Sequence, residues 1–397
     1  MRDARTPTAA LPLLAYGFRP FFLLSGASAA LLVAAWVGML FVGLPLPLGV
    51  NPVAWHAHEM LFGVVPAAIA GFLLTAVPNW TGATPLAGRG LLALLALWLA
   101  GRVAMGIGAW LPDVLVAVVD VAFLAALAAY LARVLLRHGN HRNLILPALL
   151  LVLALANLGS HLGFAGVWPS GTRITQVLAL DLLAVLMLVV GGRITPAFTA
   201  NWLRQRGLDA SRVVTSPTLD RVALISAALV VAADLISAWP AAGALTAALA
   251  ALANGYRLWL WRGWLTAREP LLWVLHLGIG WIVLALALKA LTPLLALPAG
   301  VWMHALGAGA VGTLLLGVMT RVALGHTGRA LRLPRGAVSI YLLVVLAGLA
   351  RLGAALHPGE YRTLLVLTAI AWVSAFVLFL AWFVPVLARA RPDGRPG

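Results

Sequence analysis

The 397 residues are 63% hydrophobic and only 10% charged, with a mean hydropathy of +1.02. A soluble domain sits nearer half apolar and a quarter charged, so the chain reads as an integral membrane protein in a lipid bilayer. The absence of cysteine excludes disulfides, thiolate metal sites, cysteine nucleophiles and thioether-linked cofactors, leaving histidine, methionine and carboxylates as ligands. The net charge of +16 does not point to a nucleic-acid partner, because Lys289 is the only lysine and most arginines lie in short segments between apolar runs.

Apolar stretches of about 20 residues, each enough to cross roughly 30 Å of hydrocarbon, occur in chain order near 21–43, 53–77, 90–111, 114–136, 144–166, 173–200, 218–238, 241–261, 271–292, 299–322, 337–357 and 361–388. The first is as long as a full span and is followed by many more, so no cleavable signal is expected. Connections alternate in charge. The N-terminal tail (Arg2, Arg5, Arg19), the 137–143, 201–217, 262–270 and 323–336 loops and the C-terminal tail (Arg389, Arg391, Arg395) are basic, whereas 44–52, 239–240 and 293–298 carry no arginine or lysine. The positive-inside rule then places both termini in the cytoplasm. The expected layout is a cytoplasmic tail over 1–20, a single all-α domain of about twelve transmembrane helices over 21–388, and a cytoplasmic tail over 389–397.

A faint repeat links spans 2, 6 and 10, which end in Thr75–Thr81 (TAVPNWT), Arg193–Thr199 (RITPAFT) and Arg321–Thr327 (RVALGHT). Stepping back by a common interval from the last threonine reaches His58, Gln176 and His304. Spans 2 and 10 also match at Gly63 with Gly309 and at Gly71 with Gly317. The four-helix interval suggests three four-helix units.

At 1.5 Å per residue, sequence position converts to depth. His56, His58 and Glu59 fall roughly 5–9 Å below the periplasmic start of span 2. His304 lies at similar depth, as do Asn157 and His161 on span 5, Asp181 on span 6, Arg102 on span 3, Lys289 on span 9 and Arg351 on span 11. Ionisable groups are costly in lipid and usually mark a site facing the bundle interior. His56 and Glu59, three apart, share a helix face, whereas His56 and His58 point about 200° apart, so the two imidazoles cannot serve one metal. Glu59 could instead support His56. The spacing also rules out H-E-x-x-H zinc chemistry.

The plainer readings are that His56 snorkels to the interface, that His138, His141 and His357 are solvated, and that most tryptophans are interface anchors. His276 and His326 lie near the cytoplasmic face, away from the layer. Arg102 and Arg351 either pair with Asp120 or Asp181, or suit the carboxylates of a haem.

Several segments carry a family resemblance: Gly17–Phe22 (GFRPFF), Trp55–Gly63 (WHAHEMLFG), Gly71–Gly82 (GFLLTAVPNWTG), Gly191–Arg193, Met303–Thr313 (MHALGAGAVGT) and Met319–Arg329 (MTRVALGHTGR). Together they resemble the NnrS family over essentially the whole chain. The resemblance implies a twelve-span protein of the bacterial inner membrane, associated with haem and copper and linked to nitric oxide metabolism and nitrosative stress. The layout is also similar to the catalytic subunit of haem–copper oxidases, whose helices 2 and 10 carry haem-ligating histidines; the matching positions are His58 and His304. Spans 6 and 7 hold no histidine, so copper needs another set, such as His56, Glu59 and His161.

The leading expectation is a b-type haem protein that binds, senses or reduces nitric oxide or another small diatomic. Its haem ligands would be His58 and His304. His56, Glu59 and His161 would serve a copper or proton site, and Arg102, Arg351, Lys289 and Asp181 would be propionate or buried charge partners. Arg193, Arg321 and His326 form a cytoplasmic-side motif, and the sequence names no electron donor. The alternative is a secondary transporter of a metal or haem, although that would favour charge at the bilayer midplane.

Overall fold

A computed structural model describes residues 12–236 and 240–394. Arg2, Arg5, Arg395 and most of the 239–240 connection lie outside the described residues. The rest forms twelve long helices: α1 (Phe18–Val42), α2 (Pro52–Thr81), α3 (Gly88–Gly106), α4 (Asp113–Arg137), α5 (Ile145–Phe164), α6 (Gly171–Gln205), α7 (Pro217–Ile236), α8 (Pro240–Leu260), α9 (Pro270–Leu291), α10 (Gly300–His326), α11 (Ser339–Leu356) and α12 (Tyr361–Ala388). Helix is the expected answer for apolar runs of this length, because hydrocarbon offers backbone groups no partner but the helix itself. Ten of the twelve are long and apolar enough to cross a membrane. The other two, α7 and α8, pack on each other and carry Asp220, Arg221, Asp234, Asn254 and Arg257. Arg257 pairs with Asp220 at 2.6 Å, and the Asn254 amide donates to the Ala223 and Ala250 carbonyls.

The ends follow local chemistry. Asn51 caps α2 by accepting from the Ala54 amide at 2.9 Å, with Pro52 in the first turn where a missing N–H costs nothing. Gly82 closes the same helix at φ 72°, a left-handed conformation that L side chains rarely adopt. The far end of α3 comes earlier than hydropathy suggests, at Gly106, and a short tight turn (Gly108–Trp110) follows. Conversely α6 runs on to Gln205, well past its apolar stretch. Arg19, read as part of a basic tail, is instead fully buried near the start of α1. Its guanidinium donates to the Leu387 carbonyl at 2.6 Å and the Arg389 carbonyl at 2.8 Å, tying the start of α1 to the end of α12.

The packing repeats every four helices. α2, α6 and α10 touch one another at the centre. Around them, α1 packs on α2, α5 on α6 and α9 on α10; α3 packs on α4, α7 on α8 and α11 on α12. The units α1–α4, α5–α8 and α9–α12 join through α4 with α5, α8 with α9 and α12 with α1, which closes the ring. The match extends to the backbone of α2 and α10. Each widens into a π-helical turn immediately after its histidine, over Glu59–Val64 beyond His58 and over Ala305–Val311 beyond His304. Such turns are rare and are frequent at functional sites.

Candidate functional site

The polar layer resolves into three compartments, one per unit, at the end of the bundle remote from the described termini. Each is built by a central helix, helices that follow it, and the first helix of the next unit.

The first compartment lies among α2, α3, α4 and α5. His58, buried, sets Nε2 2.8 Å from Asn157 Oδ1 and 3.1 Å from Asp120 Oδ2, and its Nδ1 faces Glu59 Oε1 at 3.4 Å. His161 places Nε2 3.0 Å from the same Asp120 oxygen, to which Asn157 Nδ2 donates at 2.8 Å. Arg102 reaches in from α3 and bridges Glu59 and Asp120 Oδ1 with its two terminal nitrogens. The close approach is possible because Gly63 sits in the π turn of α2, where a Cβ would fall 3.1 Å from Arg102 Cδ. A polar-lined opening of about 450 Å³ leads in from the adjoining loops, walled by Gly49, Gly108, Asp113, His161 and Phe164.

The second compartment lies among α6, α7 and α9. Lys289 Nζ meets Asp181 Oδ1 at 2.7 Å and also pairs with Asp234, and it sits 4.2 Å from the centre of the Trp302 ring. Lys289 and Asp181 are thus buried charge partners of each other.

The third compartment lies among α10, α11, α1 and the opposite side of α2. His304 Nδ1 donates to the Gly300 carbonyl at 2.7 Å, which leaves Nε2 as the nitrogen with a lone pair. His56 stacks on Trp36 of α1, ring centres 3.9 Å apart and planes 15° from parallel. Its buried Nδ1 has no hydrogen-bond partner. His56, His304 and Arg351 are near enough to interact electrostatically. Arg351 meets no carboxylate among the described residues and lies over the Tyr361 ring at 5.9 Å.

This arrangement corrects two groupings read from the sequence. His58 and His304 are equivalent in register, as the two π turns show, but they face different compartments. Helices related by rotation about a common centre present equivalent residues to equivalent pockets, not to one shared pocket. The residue that α2 does turn towards His304 is His56, on its opposite side, as the 200° between His56 and His58 requires. The copper set of His56, Glu59 and His161 separates for the same reason, since His56 is in the third compartment and the other two are in the first. Glu59 supports His58 rather than His56. Arg102 is bound to two carboxylates, whereas Arg351 pairs with none among the described residues.

The cytoplasmic-side motif does not converge. Arg193 donates to Asn143 Oδ1 at 2.7 Å and so holds the α4–α5 connection. Arg321 lies 4.0 Å over Phe198, and His326 packs its ring against Phe18 while its carbonyl accepts from Arg391 at 2.9 Å. His276 is buried and bonded to Thr199 at 2.9 Å, away from the layer. Sequence reasoning gave Asp120 only as a possible partner for an arginine and missed Asp234. The available signal was depth, since Asp120 lies two turns below the start of α4 and Asp234 in the last turn of α7.

Fold and site together define a polytopic helical membrane protein of three four-helix units that collects its intramembrane charge at one end of the bundle. Residues 12–391 match the NnrS protein family, so the chain belongs to it over nearly its whole length. A comparison with curated proteins gives no match.

Proposed function

We propose that this protein binds haem b in the bacterial inner membrane, with both termini cytoplasmic, and acts there on nitric oxide or a similar small diatomic. Membership of the NnrS family fits a nitric-oxide-related role. The observation that carries the haem reading is the third compartment. It holds two imidazoles from different helices, one with Nδ1 tied to a backbone carbonyl and the other with an unpartnered buried Nδ1, beside a guanidinium that has no carboxylate partner among the described residues. Imidazole suits haem iron, and a free guanidinium suits a propionate. One of His304 and His56 would hold the iron, with the other imidazole beside it, and Arg351 would hold a propionate. Bound haem would supply an iron able to bind the diatomic, while the protein contributes the imidazoles and the guanidinium that hold it.

The transport reading has less support. Below the polar layer, α1, α2, α6, α9 and α10 line a part-open cleft of about 680 Å³ walled by apolar residues such as Ala68, Leu186, Met187, Leu314 and Met319, with no charged side chain. That is a poor continuation for an ion path.

The test is an optical spectrum of purified protein, oxidised, reduced, and reduced with nitric oxide. A Soret band that shifts with reduction and with nitric oxide is expected. Colourless protein from cells well supplied with haem sinks the proposal.

A further inference from the structure

The first compartment contains more ligand chemistry than the haem reading uses. We propose that His58, Asp120 and His161 bind a first-row transition-metal dication, which enters through the opening beside His161. The proposal does not rest on the haem reading, because the two sites share no residue.

The donor set comes first. His58 Nε2, His161 Nε2 and an Asp120 carboxylate oxygen all lie within 4.8 Å of one another and are buried. Each imidazole nitrogen is 3.0–3.1 Å from Asp120 Oδ2. Ligands about 2.1 Å from a tetrahedral centre stand roughly 3.4 Å apart, so each imidazole–carboxylate edge needs to open by only a few tenths of an ångström, and the imidazole–imidazole edge lies within the 4.8 Å spread of the set. Two imidazoles and one carboxylate, with positions left open, suit iron(II), copper(II) or zinc(II).

The surroundings are those a metal site requires. A ligating histidine normally gives its other ring N–H to a carboxylate, which fixes the ring and raises its basicity. Here His58 Nδ1 faces Glu59 at 3.4 Å, and Arg102 holds Glu59 in turn. Arg102 and Asn157 orient Asp120 from the other side. The charges also leave room for a cation, since Glu59 and Asp120 face a single guanidinium. In the second compartment Lys289 supplies a tethered cation between Asp181 and Asp234. The first compartment has no lysine, and two imidazoles occupy the corresponding ground.

Access is the third element. His161 lines both the cluster and the opening of about 450 Å³, and Asp113 stands in its wall. A carboxylate at the mouth raises the local concentration of cations.

The experiment uses full-length protein in detergent, stripped with a chelator and titrated with cobalt(II), with haem content measured on the same samples. A stoichiometric, chelator-resistant cobalt with ligand-field bands, displaced by zinc(II), is expected. His161→Gln and His58→Gln should weaken retention by roughly tenfold or more, and Glu59→Gln by about 10–100-fold. His56→Ala and His304→Ala should bind cobalt as the parent does. Asp113→Asn should slow loading without changing final occupancy. Substoichiometric, easily washed cobalt in the parent overturns the proposal even if the variants fail to fold. So does cobalt retention unchanged in well-folded His161→Gln. Loss of haem without loss of cobalt in His304→Ala leaves this site standing and speaks only to the other.

Discussion

The first and third compartments are built on corresponding helices and reach opposite electrostatic solutions. In the first, Arg102 of α3 is tied between Glu59 and Asp120, and both imidazoles are spoken for by acceptors. In the third, Arg351 of α11 lies over an aromatic ring and meets no carboxylate among the described residues, and His304 has another imidazole and a cation nearby. A charge buried without a partner is costly at this depth. The first compartment can therefore stand closed with excess carboxylate, whereas the third carries excess positive charge and suits an anionic ligand. One backbone repeat has been given two chemistries by changing the residues that face the central helix.

The largest expected effect separates the two sides of α2. His304→Ala and His56→Ala should each abolish haem binding or change its spectrum outright, whereas His58→Ala should keep haem. Pyridine haemochrome quantification on the three purified variants decides it. Haem lost from His58→Ala and kept in His56→Ala would mean that the closed compartment is the haem site, and the contrast between the two would collapse.

Next in size is the cost of opening the closed compartment. Asp120→Ala leaves Arg102 with Glu59 alone and removes the shared acceptor of His58, His161 and Asn157. Breaking a buried ion pair from one side costs about 3–5 kcal/mol, so a large drop in the thermal midpoint of haem-free, detergent-solubilised protein is expected. Arg351→Leu, in the open compartment, should leave that midpoint nearly unchanged and lower haem retention instead. Equal destabilisation by both would show that Arg351 has a structural partner after all.

Lys289→Met should sit between them. It leaves Asp181 and Asp234 facing each other, but Asp234 is 23% exposed and water can relieve part of the repulsion. About 3 kcal/mol is expected, read from the same thermal midpoint, with Lys289→Arg recovering most of it.

These contrasts also show what the sequence could and could not reveal. Hydropathy and loop charge placed all twelve helices, because span length and arginine distribution are local properties. The polar layer was legible for the same reason, since depth follows from counting residues. Facing was not. The register match of His58 with His304 is real, with a π turn after each, but register alone suggests a meeting in space. Around a central trio of helices it means the reverse. The angle between His56 and His58 already held the correction, once α10 was placed on the His56 side. Asp234 escaped notice because it lies in the last turn of α7, a helix whose pairing with α9 across α6 is a non-local fact.

The smallest expected effects come from the two glycines that the repeat aligns. Gly63 and Gly309 both lie in π turns and both admit a neighbouring side chain, but the neighbours differ in stiffness. A Cβ at Gly63 meets the Arg102 guanidinium, 2.5 Å from Nη1, and the end of a long flexible chain can shift. A Cβ at Gly309 would collide with the Trp281 ring, 2.5 Å from Cδ2, and a buried indole can move only if α9 moves. Overpacking costs about 1–3 kcal/mol, so Gly309→Ala should fall near the top of that range and Gly63→Ala near the bottom. Their secondary effects should differ in kind. Gly63→Ala displaces Arg102 from Glu59 and Asp120 and should weaken cobalt retention while sparing haem; Gly309→Ala disturbs α10 beside His304 and should lower haem occupancy while sparing cobalt. Measuring both ligands in both variants checks whether the compartments are energetically separate: two variants that each reduce both ligands alike would mean that the central helices transmit strain between them.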